Sequence, residues 1–171
     1  MGKDYFERMD RVNLNKLFTK QKQLDEHIVK EKGLHGQDLL KKKTVALICE
    51  LYECINEFPA IFKFWSNKPN NREDGLVEFI DVIHFSISIA NDLGYTSHKY
   101  IKTTGTDLND LVLGITNIAT IIPQSREKHH IATLVNSVIQ LGYQLGFDEE
   151  QVIEAYHAKN KENHHRQESG Y

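Results

Sequence analysis

Four acidic residues form two matching pairs, Glu50-Leu51-Tyr52-Glu53 and Glu78-Phe79-Ile80-Asp81. Each pair is spaced i, i+3, so on a helix its two carboxylates share one face. Glu50, Glu53 and Glu57 together fall within an arc of about 60° at the helical ~100° per residue. Both rows lie among strongly apolar neighbours: Ile48, Leu51 and Ile55 in the first, Phe79, Ile80 and Ile83 in the second. Carboxylates beside a core stripe are unfavourable unless something positive neutralises them. Lys41, Lys42 and Lys43 lie two turns away, and neither row has a lysine at i+4. The natural neutraliser is a hard divalent cation, and Mg²⁺ takes a few carboxylates together with water and substrate phosphates. For any single ExxE the alternative is a solvated helix face; two such rows on consecutive helices weigh toward a metal site. Asp81-x-x-His84, Glu127-x-x-His130 and Glu154-x-x-His157 also fit the spacing of a ferritin-like di-iron site. With nine histidines in the chain, such matches arise readily by chance, and those segments lack a second set of unpaired acids.

Between the two acidic rows runs Phe58-Pro59-Ala60-Ile61-Phe62-Lys63-Phe64-Trp65-Ser66-Asn67-Lys68-Pro69-Asn70-Asn71, longer than the ~2–8 residues usual between helices of a bundle. It joins flat stacking surfaces (Phe62, Phe64, Trp65) to two lysines, a mixture suited to a base plus a phosphate. The alternative is that the aromatics plug the end of the bundle. At the C-terminus, Lys159, Asn163 and Arg166 are spaced i, i+4, i+7, so one helical face would present two cations and an amide. That is phosphate-binding chemistry, Arg as a bidentate fork and Lys as a point charge; a frayed polar tail is the alternative.

The elements that must position these groups read as helices. Leu14, Leu17, Phe18, Leu24 and Ile28 recur at helical spacing and stop at Gly33 and Gly36. Leu39 to Phe58 carries a second stripe ended by Pro59, and a third runs from about Arg72 to Leu93, capped by Gly94. Leu108, Leu111, Val112, Ile115 and Ile118 mark a fourth, terminated near Pro123. Ile131 to Leu145 marks a fifth, closed by Gly146, and Asp148 with Gln151 resembles a capping box opening a sixth. The segment Ile83-His84-Phe85-Ser86-Ile87-Ser88-Ile89 alternates like a strand. The longer stripe of Leu76, Ile80, Ile83, Ile87 and Ala90 favours a helix. The expectation is an all-α helical bundle of about six helices.

Composition sets the outer bounds. The chain has 171 residues, 40% hydrophobic and 26% charged, with a formal net charge of −3. That length suits a single domain and is enough to bury a sizeable core. The charge disfavours generic nucleic-acid binding. No apolar run approaches the ~20 residues of a membrane span, and Met1 to Glu7 has no apolar stretch of a secretory signal. Cys49 and Cys54 suit reduced core thiols of a cytoplasmic protein, not a disulfide framework or zinc site.

Taken together, these segments resemble the all-α, dimeric dUTP pyrophosphatases, relatives of the MazG-type nucleotide pyrophosphohydrolases. The resemblance is carried by Leu17-Phe18-x-x-Gln21-x-x-Leu24-Asp25-x-x-Ile28, Glu50-x-x-Glu53, Phe62-Lys63-Phe64-Trp65-Ser66-Asn67-Lys68, Glu78-x-x-Asp81-x-x-His84-Phe85 and Lys159-Asn160-x-x-Asn163-x-x-Arg166-Gln167-x-x-Gly170-Tyr171. It implies one nucleotide pyrophosphohydrolase domain over 1–171, with 156–171 a phosphate-binding motif. It further implies that Glu50, Glu53, Glu78 and Asp81 hold two or more Mg²⁺ ions, with Glu50, supported by Glu53, acting on the attacking water. Lys63, Lys159, Asn163, Arg166 and Tyr171 would bind phosphate. Gln21 would read uracil with Asp25 beside it, Trp65 would pack on the base, and Phe85 would wall the deoxyribose. Asp25 stands where some relatives use an amide. The implied reaction is hydrolysis of dUTP, and of dUDP, to dUMP by a cytoplasmic homodimer with no nucleic-acid or membrane partner. The same chemistry on another nucleotide such as dCTP, or a non-catalytic helical binding dimer, are the competing readings.

Overall fold

The computed structural model describes residues 12–170. Among them are six α-helices and no strand: α1 (Val12–Glu31), α2 (Leu40–Asn56), α3 (Arg72–Asp92), α4 (Leu108–Ser125), α5 (Lys128–Gln144) and α6 (Glu149–Glu168). A 3₁₀ turn, Pro59–Ile61, follows α2. Local chemistry sets the boundaries. The side chains of Asn71, Asp107 and Asp148 accept backbone N–H groups at the starts of α3, α4 and α6. The Asp148–Gln151 capping box forms in both directions. The fourth helix ends near Pro123, as its sequence suggests. Pro123 lies inside its last turn, and the helix closes at Arg126, which adopts the left-handed region (φ 50°) and donates its N–H to the Ile122 carbonyl. A proline so near the end forfeits one helical hydrogen bond without breaking an interior ladder.

Helix α3 is the hub, packing against α1, α2, α5 and α6, while α4 covers α2 and α5. Its segment 83–89 is helical throughout. The strand-like alternation there arises because α3 is buried nearly all round, so even its polar residues are interior. His84, Ser86 and Ser88 are all buried. The two hydroxyls are satisfied, Ser86 donating to the Ile83 carbonyl and Ser88 to Asp25. Two glycines permit close approach to this hub. A Cβ at Gly142 of α5 would lie 2.5 Å from the Phe79 ring, and one at Gly75 would lie 2.3 Å from the Phe58 ring.

The turn from α2 into α3 fixes what faces what. The Asn71 N–H donates to the Glu57 carbonyl at 2.8 Å, pinning the two ends of the intervening loop together, and the helices run back antiparallel. Seven residues back from Glu57 and seven on from Asn71 are Glu50 and Glu78, each about 10 Å from the turn at 1.5 Å per residue. The expected core placement of both cysteines holds for one only. Cys54 is buried, with its thiol on the Gly75 carbonyl side, while Cys49 is exposed, because it lies on the outer face of α2 with Val45 and Tyr52. No helix among the described residues is long and apolar enough to cross a membrane.

Candidate active site

The α2–α3 seam brings three of the four acids together. Glu50, Glu78 and Asp81, all half-buried, each offer a carboxylate oxygen within 4.8 Å of the others. Among the described residues this is the set of three or more His, Cys, Asp or Glu side chains so clustered. The seam forces the approach: Leu47, Leu51 and Cys54 of α2 and Phe79, Ile80 and Val82 of α3 are buried, so the acids that alternate with them come to the lip of the same interface. Glu53 is exposed and stands outside the triad, yet its charge reaches both neighbouring glutamates.

The crowding is visible in the acidities. Glu50 is raised from 4.5 to about 7, first by desolvation and then by the charges of Asp81, Glu53 and Glu78. Glu78 is also raised, by desolvation followed by Glu53 and Asp81. Lys159 opposes both shifts. Its ammonium reaches across from α6 and donates to Asp81 Oδ2 at 2.6 Å. A single lysine against this many carboxylates leaves the cluster net negative. Cys54, just behind it, has its thiol pushed up to about 12 by burial and by Glu78 and Glu57, which makes it inert.

The remaining site residues fall into three neighbourhoods. On the loop after α2, Phe64 and Trp65 meet edge to face at 4.9 Å, with Phe62 against Trp65 at 6.5 Å. Phe64 and Trp65 are 95% and 67% exposed, so this aromatic cluster faces solvent and does not plug the bundle end. Lys63 lies 5.2 Å from the Phe62 ring centre and donates to Asn56 at 3.4 Å. On α6, Lys159 joins the carboxylates, Asn163 is half-buried, and Arg166 pairs with Glu162 one turn away. Tyr171 lies outside the described residues.

The third neighbourhood is a buried polar chain. Gln21 is 3% exposed. Its amide donates to Asp25 at 2.9 Å, and its carbonyl oxygen accepts from the Tyr156 hydroxyl at 2.9 Å and meets His84 Nδ1 at 2.5 Å. Asp25 also accepts from Ser88 at 2.7 Å and faces the Lys43 ammonium at 3.5 Å. Burial raises the Asp25 carboxyl despite that lysine. Phe85, half-buried, packs against the core one turn beyond Asp81. His84 therefore turns toward Gln21 and Tyr156, not toward a metal. Of the other acid-x-x-His pairs, Glu127, Glu154 and His157 are exposed, and His130 meets Ser125 at 2.7 Å.

The family model described as dUTPase matches residues 13–171, a span that contains both acid rows, the aromatic loop and α6. The chain belongs to the dUTPase family. It is thus a hydrolase of dUTP diphosphatase type, with a nucleotide as substrate. No curated protein matches it. Sequence reasoning missed the Lys159–Asp81 contact and the hydrogen bonds by which His84 and Tyr156 hold Gln21. The partners are separated by 78 residues in one case and by 135 in the Tyr156–Gln21 contact, so no local spacing could reveal them.

Proposed function

We propose that the protein is a Mg²⁺-dependent dUTP diphosphatase that hydrolyses dUTP to dUMP and pyrophosphate, and dUDP to dUMP and phosphate. The observation that carries this reading is the convergence of Glu50, Glu78 and Asp81 in a chain matched to the family over nearly its whole length. The donor set suits the ion: hard carboxylate oxygens, half-buried and in charge excess, with Glu53 at the rim. When bound, Mg²⁺ would offset negative charge on the phosphoryl oxygens and increase the acidity of water. The chain's own residues do the rest. Glu50, with an acidity near neutral, orients the attacking water and accepts its proton. Lys159 shifts from Asp81 toward the incoming phosphates, and Lys63, Asn163, Arg166 and Tyr171 complete their binding. Gln21, its carbonyl oxygen taken by Tyr156 and His84 and one amide N–H by Asp25, offers uracil its remaining N–H, Trp65 packs on the base, and Phe85 lies under the deoxyribose.

In this reading the chain is one domain, 1–171, working in the cytoplasm as a homodimer. Exposed apolar residues on two packed helices support a second copy as partner: Val45 and Tyr52 on α2, Leu113 and Ile121 on α4, the helices meeting at Tyr52 and Thr116, 3.1 Å apart. A panel of nucleoside triphosphates with Mg²⁺ tests the function. Hydrolysis of dUTP with release of dUMP and pyrophosphate is expected. Equal rates on dTTP and dUTP would exclude uracil specificity, and a preference for dCTP would reassign the substrate.

A further inference from the structure

Among the described residues three buried side-chain atoms lack a partner, His84 Nε2, the side-chain nitrogen of Asn160 and Gln167 Oε1; the first two belong to residues that adjoin the Asp81–Lys159 pair in sequence or by one helical turn. Their residues are 4% and 7% exposed. Interiors leave few such atoms unpaired, because each forfeits the hydrogen bond it would make in water. Their polarity follows from the network. Gln21 directs its amide nitrogen to the Asp25 carboxylate, so its carbonyl oxygen, which can only accept, faces His84 Nδ1. Nδ1 must carry the proton, and Nε2 is left a bare lone pair. The Asn160 nitrogen, by contrast, can only donate.

Their position is equally defined. His84 follows Asp81 by one turn of α3, and its ring lies flat on Tyr156 at 4.2 Å and 11°. Asn160 follows Tyr156 by one turn of α6 and directly succeeds Lys159, whose ammonium holds Asp81. The donor and the acceptor therefore face the same α3–α6 seam, Asn160 level with Asp81 and Lys159 at the phosphate end and His84 one turn further in, where it stacks on Tyr156 and touches Gln21, the base reader. Between phosphate and base lies the sugar. A hydroxyl is the group that donates to one orphan and accepts from the other, and a 5′-phosphorylated 2′-deoxyribose carries one free hydroxyl, at C3′.

We propose that His84 Nε2 and the Asn160 side-chain nitrogen form a subsite that reads the 3′-hydroxyl of the deoxynucleotide. The proposal rests on the dUTP reading above. Burial lowers the His84 imidazole to about 3, so it stays a neutral acceptor at physiological pH. Asn160 is a specificity-determining donor, and Tyr156 with Gln21 are positioning residues that fix the imidazole's plane and tautomer.

The test compares initial rates of the full-length protein on dUTP and on 2′,3′-dideoxy-UTP with Mg²⁺. The wild type should show kcat/KM about tenfold or more lower for the dideoxy substrate, since the analogue leaves both orphans unpaired. In Asn160→Leu and Asn160→Asp, neither of which can donate, the ratio should fall severalfold, the remainder being the contact with His84, with thermal melts confirming that each variant folds. Equal wild-type rates on the two substrates overturn the subsite while leaving the dUTP diphosphatase reading intact, as does a ratio that survives undiminished in both folded variants. If dUTP is not hydrolysed at all, that reading falls instead. Binding of dUMP against 2′,3′-dideoxy-UMP then decides the subsite, equal affinities overturning it.

Discussion

Replacing Glu50 by Gln should stabilise the metal-free protein while destroying its activity. The carboxyl is raised from 4.5 to about 7 by burial and by three neighbouring acids. A group whose acidity is weakened on folding binds more protons folded than unfolded across that window. Stability is therefore lost as pH climbs from 4.5 to 7 and stays lost above it. At about 1.4 kcal/mol per unit the ceiling is about 3 kcal/mol. The side chain is half-exposed, and solvent screening reduces this to about 1–2 kcal/mol. Gln keeps the size and removes the charge, so at pH 8 in EDTA the variant should melt roughly 2–6 °C above wild type, for a chain of this length. Most of the difference should be gone by pH 5. Mg²⁺ should raise the wild-type midpoint more than the variant's, and dUTP turnover should vanish in the variant. A variant that melts at or below the wild type at pH 8 without metal would refute the claim that these carboxylates are held together against their mutual repulsion.

Other perturbations reach the rest of the architecture. Arg166→Ala should weaken triphosphate binding by ~1.5–3 kcal/mol, the range for a hydrogen bond to a charged group, read by titration calorimetry; unchanged affinity would remove Arg166 from the phosphate site. Gly142→Ala places a methyl 2.5 Å from the Phe79 ring and should destabilise by about 1–3 kcal/mol through overpacking, seen as a lower urea midpoint with an unchanged slope. His84 has the opposite pH signature to Glu50. Its imidazole is lowered to about 3 from 6.5, so the unfolded chain takes up the extra proton, and stability should fall as pH drops below about 6.5, by at most ~1.4 kcal/mol per unit. His98, His157 and His164 are lowered too, so urea midpoints in the Glu50→Gln background are compared with and without His84→Gln, and identical profiles between pH 6.5 and 4.5 would contradict it.

Helix content was legible because it is written in local spacing. The stripes of α1, α2 and α5, the Asp148–Gln151 capping box and the stop at Gly146 need no knowledge of the third dimension. The segment 83–89 shows where such reading becomes ambiguous. Amphipathic periodicity presumes that one face is wet, and α3, enclosed by four other helices, has polar residues that answer to partners on α1 instead. Pro123 marked the end of α4 to within two residues: a proline signals a stop, and within the final turn it removes a bond that the helix can spare. Cys49 was assigned to the core from its segment, whereas the angle it occupies on α2 is the outer one.

The site divides along the same line. Glu50, Glu78 and Asp81 could be singled out because each acid row is a one-turn motif on its own helix, and only their convergence, which leaves Glu53 outside, is tertiary. Their counter-charge could not. Sequence spacing left the acids uncompensated and pointed to a cation, yet Lys159, read from the sequence as a phosphate ligand, already salt-bridges Asp81 at 2.6 Å. The two readings of Lys159 are compatible once energetics are considered. One ammonium cannot neutralise three converging carboxylates, as the elevated Glu50 makes plain. A divalent ion that satisfied the acids would relieve Asp81 of its need for the lysine and free that charge for the phosphates. Lys159→Met should then raise the KM for dUTP severalfold while lowering the metal-free melting temperature by only a few degrees, as expected if the ion pair it breaks stands in for contacts that substrate and metal would make. A variant that unfolded without affecting KM would make Lys159 a structural strut and leave the phosphates to Arg166 and its neighbours.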